Sequence, residues 1–234
     1  MRHLFCIVVL VLFCPGNACA DVLSQFNFNT LDNDAATGTL TASAGTGTLS
    51  TVGGATTFFG FGTGSSDTEV GANNSGLGLG SFPAQGGGSG TVGLQGAVST
   101  VGFNNVVLQF DQKNQPSSNK FYDVQVRTAP ANPFVSVATY GIAAADVWEN
   151  TKTFDLTAVA PGAGNNANFT YRIVAVFQPS TSQYVASEAG YNGSIPTLID
   201  MVTVVGTMVP EPSAIFLSIG ATALTLVRAR RTRS

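Results

Sequence analysis

Asn168-Phe169-Thr170-Tyr171-Arg172-Ile173-Val174-Ala175-Val176-Phe177 decides the fold class. Phe169, Tyr171, Ile173, Ala175 and Phe177 fall on every second position, the period at which side chains of a β-strand return to one face. From Ile173 onward the interleaved positions are apolar as well, so both faces are covered and the segment reads as a central strand. Outward from it, Val106, Leu108 and Phe110 alternate with Gln109 and Asp111, and Tyr122, Val124 and Val126 alternate with Asp123, Gln125 and Arg127. A last strand carrying Val202 and Val204 spans residues 198–207. Turn signals separate these runs: Asn114-Gln115-Pro116, Ala129-Pro130-Ala131-Asn132-Pro133 and Pro161-Gly162-Ala163-Gly164. Strands at such short spacing predict an all-β fold, an antiparallel β-sandwich, over residues 21–208.

In the first half, Phe26 and Phe28 mark one strand, and residues 37–42 and 57–61 two more. Residues 71–90 are rich in Gly, Asn and Ser and read as a long exposed loop. Its glycines do not read as a phosphate cradle, because no Gly-Lys-Ser/Thr follows.

Charge narrows the function. Residues 21–208 hold Lys113, Lys120, Arg127, Lys152 and Arg172 against twelve Asp and Glu, so 5 − 12 gives a net charge of −7. Nucleic acid and anionic lipid are poor partners for such a surface. Cys6, Cys14, Cys19 and His3 all lie ahead of residue 21. A body without Cys or His has no disulfide, no thiol nucleophile, no Cys/His zinc site and no imidazole base. No catalytic residue, metal or cofactor is expected.

The two ends read as membrane signals. Arg2, an apolar stretch over residues 4–13, Pro15-Gly16 and then Ala18-Cys19-Ala20 follow the order of a secretory signal peptide (residues 1–20), cleaved after Ala20 and delivered to the Sec translocon. Lipidation of Cys19 is disfavoured because Gly16-Asn17-Ala18 lacks a large aliphatic residue. At the other end, Val209-Pro210-Glu211-Pro212-Ser213 precedes an apolar run over residues 214–227 and then Arg228, Arg230, Arg231 and Arg233 within residues 228–234. As a helix, 14 residues span about 21 Å against a hydrocarbon core of about 30 Å. Arginine stems that snorkel lengthen the span, and their charge holds that side in the cytoplasm. Ser218, Gly220, Thr222 and Thr225 keep this short transmembrane helix weak as a permanent anchor.

The tail, residues 209–234, resembles the PEP-CTERM sorting signal of exopolysaccharide-producing Gram-negative bacteria: Val-Pro-Glu-Pro, a short helix and an arginine-rich end. The resemblance implies recognition by an exosortase, a membrane transpeptidase-like partner. It also implies transient anchoring in the inner membrane and delivery to the cell surface or extracellular matrix. The second half of the body resembles galactose-binding-like jelly-roll modules through the order of Phe110-Asp111, residues 122–127, Trp148, Asp155-Leu156-Thr157 and residues 168–176. That implies a jelly-roll-like sandwich and, as a fold-level analogy, no particular ligand.

Candidate sites in the body are few. Asp32-Asn33-Asp34 groups hard oxygen ligands, but without the rest of a calcium loop it reads as a solvated Asx-rich turn. Trp148, near Tyr140, Glu149 and Asn150, is the candidate ligand-binding residue, an indole able to stack on a sugar. Arg172 is expected to pair with Asp123 or Asp155 across the sheet. Asp67-Thr68-Glu69 has the alternate spacing of a glycosidase carboxylate pair, with Phe58, Phe59 and Phe61 as the nearby aromatics. The leading expectation is a non-enzymatic surface or matrix protein sorted through residues 209–234. The alternative is a carbohydrate-binding module for envelope polysaccharide, centred on Trp148, and the second alternative is a polysaccharide hydrolase or lyase.

Overall fold

The computed structural model describes residues 20–188 and 190–209. Its strands are β1 (Ala20–Phe26), β2 (Ala44–Gly45), β3 (Thr48–Val52), β4 (Thr56–Phe61), β5 (Ser75–Gly80), β6 (Gly93–Val98), β7 (Phe103–Asn114), β8 (Phe121–Arg127), β9 (Val135–Gly141), β10 (Glu149–Asp155), β11 (Phe169–Ala175) and β12 (Thr197–Met208). They form two antiparallel sheets. One runs β10-β7-β12-β1-β2 with β5 beside β12 and β4 beside β5; the other runs β3-β6-β11-β8-β9. The alternating segment at 169–175 is therefore the middle strand of its sheet, as the apolar residues on both faces from Ile173 onward predict.

The period of two is what builds the core. Leu94 and Val98 of β6, Tyr122, Val124 and Val126 of β8, and Phe169, Tyr171 and Ile173 of β11 share one buried cluster with Leu108 and Phe110 of β7 and Val202 and Val204 of β12. Each such side chain contributes roughly 1.5–3 kcal/mol on burial.

Polar groups also cross the gap between the sheets. Gln112 and Asn114 of β7 and Thr197 of β12 are buried. The Tyr140 hydroxyl of the opposite sheet donates to Gln112 Oε1 at 2.7 Å, and the Tyr122 hydroxyl donates to Asn114 Oδ1 at 3.3 Å. Thr197 donates to the same Asn114 oxygen at 2.7 Å, and Asn114 Nδ2 donates to the Asn119 carbonyl at 2.6 Å. Burial pushes the Tyr140 hydroxyl well above the ordinary tyrosine range, so it remains a donor.

Two expectations need correction. Residues 71–90 are not one exposed loop, because they contain β5, buried throughout and paired with β4 and β12. Glycine is required there by close packing. A Cβ at Gly78 would lie 2.2 Å from the Phe58 ring, and one at Gly76 3.3 Å from the Trp148 ring. Residues 37–42 form no strand; the Thr39 amide instead bonds the Phe28 carbonyl, and Thr41 N–H bonds the Thr39 hydroxyl.

Strand β12 changes partners along its length. Residues Thr197, Leu198 and Ile199 pair with β5, and the stretch from Val202 onward pairs with β1. A bulge between Asp200 and Thr203 makes the switch, with Met201 at φ 51°. Met201 N–H donates to Asp200 Oδ1 at 2.7 Å. Asp111 of β7 lies directly opposite Asp200 and accepts the amides of Ser66 and Thr151, the latter at 2.6 Å from a bulge in β10. The loop after β4 closes this pair with the Ser65 hydroxyl, 2.7 Å from Asp200 Oδ2.

The ends of the body meet: Ala20 pairs with Thr207, and Val209 N–H donates to the Gly102 carbonyl at 2.8 Å. Residues 1–19, including Ala18, and residues 210–234 lie outside the described residues. So do all of the signal segment but Ala20, Pro210-Glu211-Pro212-Ser213, the apolar run and the arginines. No helix among the described residues is long and apolar enough to cross a membrane.

Two tyrosines of this core are expected to respond oppositely to loss of their hydroxyl. Tyr171 OH is buried with no hydrogen-bond partner, and an unmade bond costs about 1–3 kcal/mol. Thermal melts of Tyr171→Phe should lie about 2–4 °C above the parent for each kcal/mol gained, whereas Tyr122→Phe, which breaks the bond to Asn114, should melt lower. The reverse order would contradict this account of the core.

Asp200 gives a pH signature. Burial pushes its pKa up to about 8, the nearby Asp67 and Asp111 push the same way, and the Ser65 and Met201 bonds oppose them. The folded chain thus holds a proton that the unfolded chain releases near pH 4. Stability from this group is full below the unfolded value and is lost as pH rises through about 8. Melting temperature is expected to fall between pH 5 and pH 8. Asp200→Asn should flatten that slope and melt several degrees higher at pH 8; an unchanged slope would refute it.

Candidate functional site

The outward face of the five-stranded sheet carries an ordered row of polar side chains. Register places Ser50 opposite Gln95, Gln95 opposite Arg172, Arg172 opposite Gln125, and Gln125 opposite Ser136. One row of polar side chains therefore crosses all five strands. At about 4.8 Å per strand spacing it is roughly 19 Å long.

Hydrogen bonds hold the row in place. Arg172 Nε donates to Gln95 Oε1 at 2.7 Å. Gln125 Nε2 donates to Asp123 Oδ2 at 3.0 Å, while Asp123 Oδ1 accepts the hydroxyls of Ser136 at 2.6 Å and Thr139 at 3.2 Å. Gln95 Nε2, Gln125 Oε1 and both Nη groups of Arg172 take no partner in this network. They are the fixed donors and acceptors available to a ligand.

Phe134, at the end of the β8–β9 loop, supplies the aromatic element. The Arg172 guanidinium lies 3.7 Å from its ring centre and that of Arg127 4.6 Å, within the range of cation–π attraction. Arg127 Nη1 donates to the Pro130 carbonyl at 3.3 Å. Burial, and then the neighbouring Arg127 charge, lower the pKa of Arg172 from the usual arginine value. A groove of about 400 Å³ runs along the next register row, over Thr48, Ala97 and Thr170 and beneath Pro130 and Asn168.

The residues singled out from sequence fall elsewhere or in other roles. Arg172 pairs with neither Asp123 nor Asp155: its cross-strand neighbours are amides, and Asp155 caps its own turn through the Thr157 and Ala158 amides at 3.0 Å. Those bonds, the Thr157 hydroxyl foremost, hold the Asp155 carboxyl below its usual range. Trp148 is half-buried rather than an open platform. Its Nε1 donates to the Thr63 carbonyl at 3.0 Å, Lys113 Nζ lies 5.1 Å from its ring, and Gly64 and Gly76 pack against it. It fastens the β4–β5 loop to the β10 edge of the seven-stranded sheet.

Asp67 and Glu69 do not form an acid pair, because Asp67 Oδ1 accepts the Glu69 amide at 3.0 Å and Asp67 Oδ2 accepts Asn29 Nδ2 at 2.6 Å. Asp32-Asn33-Asp34 is an Asx turn, with Asp34 N–H on Asp32 Oδ1 and Thr37 Oγ1 on Asp32 Oδ2. The Thr37 bond lowers the Asp32 pKa. No group of three or more His, Cys, Asp or Glu among the described residues is placed to hold a metal ion. Of the sorting motif, Val209 alone is described, and it is exposed at the end of β12. Gln95 and Phe134 escaped sequence reading, since neither type is distinctive and only register and loop path bring them to Arg172.

No family model matches the chain, and no curated protein matches it. Solved structures give distant similarities. The CBM22-1-GH10 modules of Clostridium thermocellum endo-1,4-beta-D-xylanase 10B, complexed with xylohexaose, share 11% identity over 79% of this chain at a TM-score of 0.45; the chain spans 28% of that protein's length. TmCBM27, a carbohydrate-binding module described for specific mannan recognition, shares 10% identity over 82% of this chain and 100% of its own, at 0.43. The K1 cleaved adhesin domain of Lys-gingipain from Porphyromonas gingivalis W83 shares 11% identity over 80% and 96%, at 0.41.

Proposed function

We propose that the chain is an exported, non-enzymatic polysaccharide-binding protein whose ligand lies across the five-stranded sheet. The row from Ser50 to Ser136 carries this reading. Sugar polymers present hydroxyls at regular spacing along an extended chain. A flat row of amides, hydroxyls and a guanidinium, fixed by its own hydrogen bonds, meets them without reorganisation. Phe134 holds the two arginine planes in place beside this row. Trp148 is not the centre of this site, since its indole N–H and ring are already engaged. Catalysis has little support, because Asp67 of the Asp67/Glu69 pair spends its carboxylate on the Glu69 amide and Asn29.

The destination rests on other residues. Ala18-Cys19-Ala20 supports export, and Val209-Pro210-Glu211-Pro212 with Arg228, Arg230, Arg231 and Arg233 supports sorting at the cell surface by an exosortase-type enzyme. A sorted binder would carry its ligand face into the polysaccharide layer.

Affinity electrophoresis of the full chain in detergent across a panel of xylan, mannan and uronate polymers checks the binding. At least one should retard the parent. The Gln95→Ala/Gln125→Ala double variant should bind about tenfold more weakly, a loss of about 1.4 kcal/mol, while Trp148→Ala should bind normally and melt lower. Retardation lost only in Trp148→Ala would overturn the assignment of the face. Mass spectrometry of protein taken from the cell surface should find a C-terminus lacking Arg228 to Arg233; an intact tail there would contradict sorting.

A further inference from the structure

Arg127 and Arg172 are neighbours of like sign. Thr170 lies opposite Arg127 and Arg172 opposite Gln125, so the arginines occupy diagonal positions on adjacent strands, and both guanidinium groups lie over the Phe134 ring. Like charges placed this way repel. No carboxylate offsets it: the one ion pair among the described residues joins Lys152 to Glu149, on the other sheet. Twelve carboxylates were available to residues 21–208, yet none contacts either arginine.

The distribution of charge makes this sharper. Asp123 is the one acid on the outward face of the five-stranded sheet, and its oxygens are taken by Ser136, Thr139 and Gln125. With two arginines and one aspartate the face carries +1, while the rest of the body, −7 − 1, carries −8. A positive field on one face of an acidic protein draws anions to that face. Donors there are also unspent: both Nη groups of Arg172 enter none of these bonds, whereas Arg127 Nε is buried and closed to solvent. The Gln95 bond and the Phe134 ring hold the Arg172 plane in place, and a fixed guanidinium fork matches the two oxygens of a carboxylate.

We infer that the polysaccharide bound on this face is acidic, with a uronate carboxylate seated between Arg127 and Arg172 beside Phe134. This rests on the proposed polysaccharide-binding reading and adds the class of sugar. The carboxylate relieves the repulsion between the arginines, and Gln95 and Gln125 meet the hydroxyls on either side. The grooves flanking the β8–β9 loop, one lined by Arg127 and the other by Thr170, let the polymer continue past the site.

Two polymers that differ only at the carboxyl group supply the test: polygalacturonate and its fully methyl-esterified form. Binding of the full chain in detergent is measured at low and at high salt, with neutral xylan, mannan and double-stranded DNA as further ligands. Polygalacturonate is expected to bind at least tenfold more tightly than the ester and to weaken as salt rises. Arg172→Gln should bring the two polymers to the same affinity. Arg172→Lys, which keeps the charge and loses the fork, should fall between, and unchanged melting curves would show that both variants fold. Equal affinity for acid and ester in the parent, unaffected by Arg172→Gln, would overturn this inference and leave the polysaccharide reading standing. Failure to bind any polymer would overturn both, and binding of DNA in place of polygalacturonate would assign the arginines to a different anion.

Discussion

The relation of the two sheets depends on a small polar clasp inside an otherwise apolar core. Hydrophobic contacts between sheets are non-directional and tolerate small slides of one layer over the other. Hydrogen bonds do not. Tyr140 to Gln112 and Tyr122 to Asn114 join strands of opposite sheets at fixed points. Thr197 ties the same asparagine to β12. Sliding the sheets would strand several buried polar groups at once, at about 1–3 kcal/mol each. With the layers pinned, β8 and β9 carry Asp123, Gln125, Arg127 and Ser136 outward in one register, and the ligand face follows from the core.

What was legible in the sequence follows from where the physics is local. Strands β7, β8, β11 and β12 show because one or both faces are buried, and burial writes a period of two into the residues themselves. Strand β5 was hidden. Its Ser75-Gly-Leu-Gly-Leu-Gly run carries a perfect alternation, but the glycines, demanded by the Phe58 and Trp148 rings above them, imitate a loop. Residues 37–42 erred the other way, with a strand-like composition in a backbone that bonds to Phe28 and to its own hydroxyls. The site was the least legible part. Arg172 stands out in any reading, yet its partners lie 77 residues away at Gln95 and in the loop before β9, and a period of two says nothing about which strand lies next to which.

The aromatic residues divide by task. Trp148, the more conspicuous in sequence, is spent on holding the β4–β5 loop, which in turn closes over Asp111 and Asp200. Phe134, itself half-buried, is the ring that faces two guanidinium charges. Loops that deliver function on a rigid sheet commonly carry such residues. Here the β8–β9 loop delivers one ring and, through Pro130, steadies one arginine.

The position of β12 bears on how the chain is made. It is the last strand among the described residues, yet it touches β1, β5 and β7 and fills the middle of the larger sheet. A ribosome or an export channel releases it after every other strand. Until it emerges, β1 lacks its main partner and β7 one of its two flanks, so the larger layer cannot close. Pairing that joins the first and last strands also costs the most loop entropy and is slow. The larger sheet is thus kept open until β12 emerges, a condition that the proposed export would require.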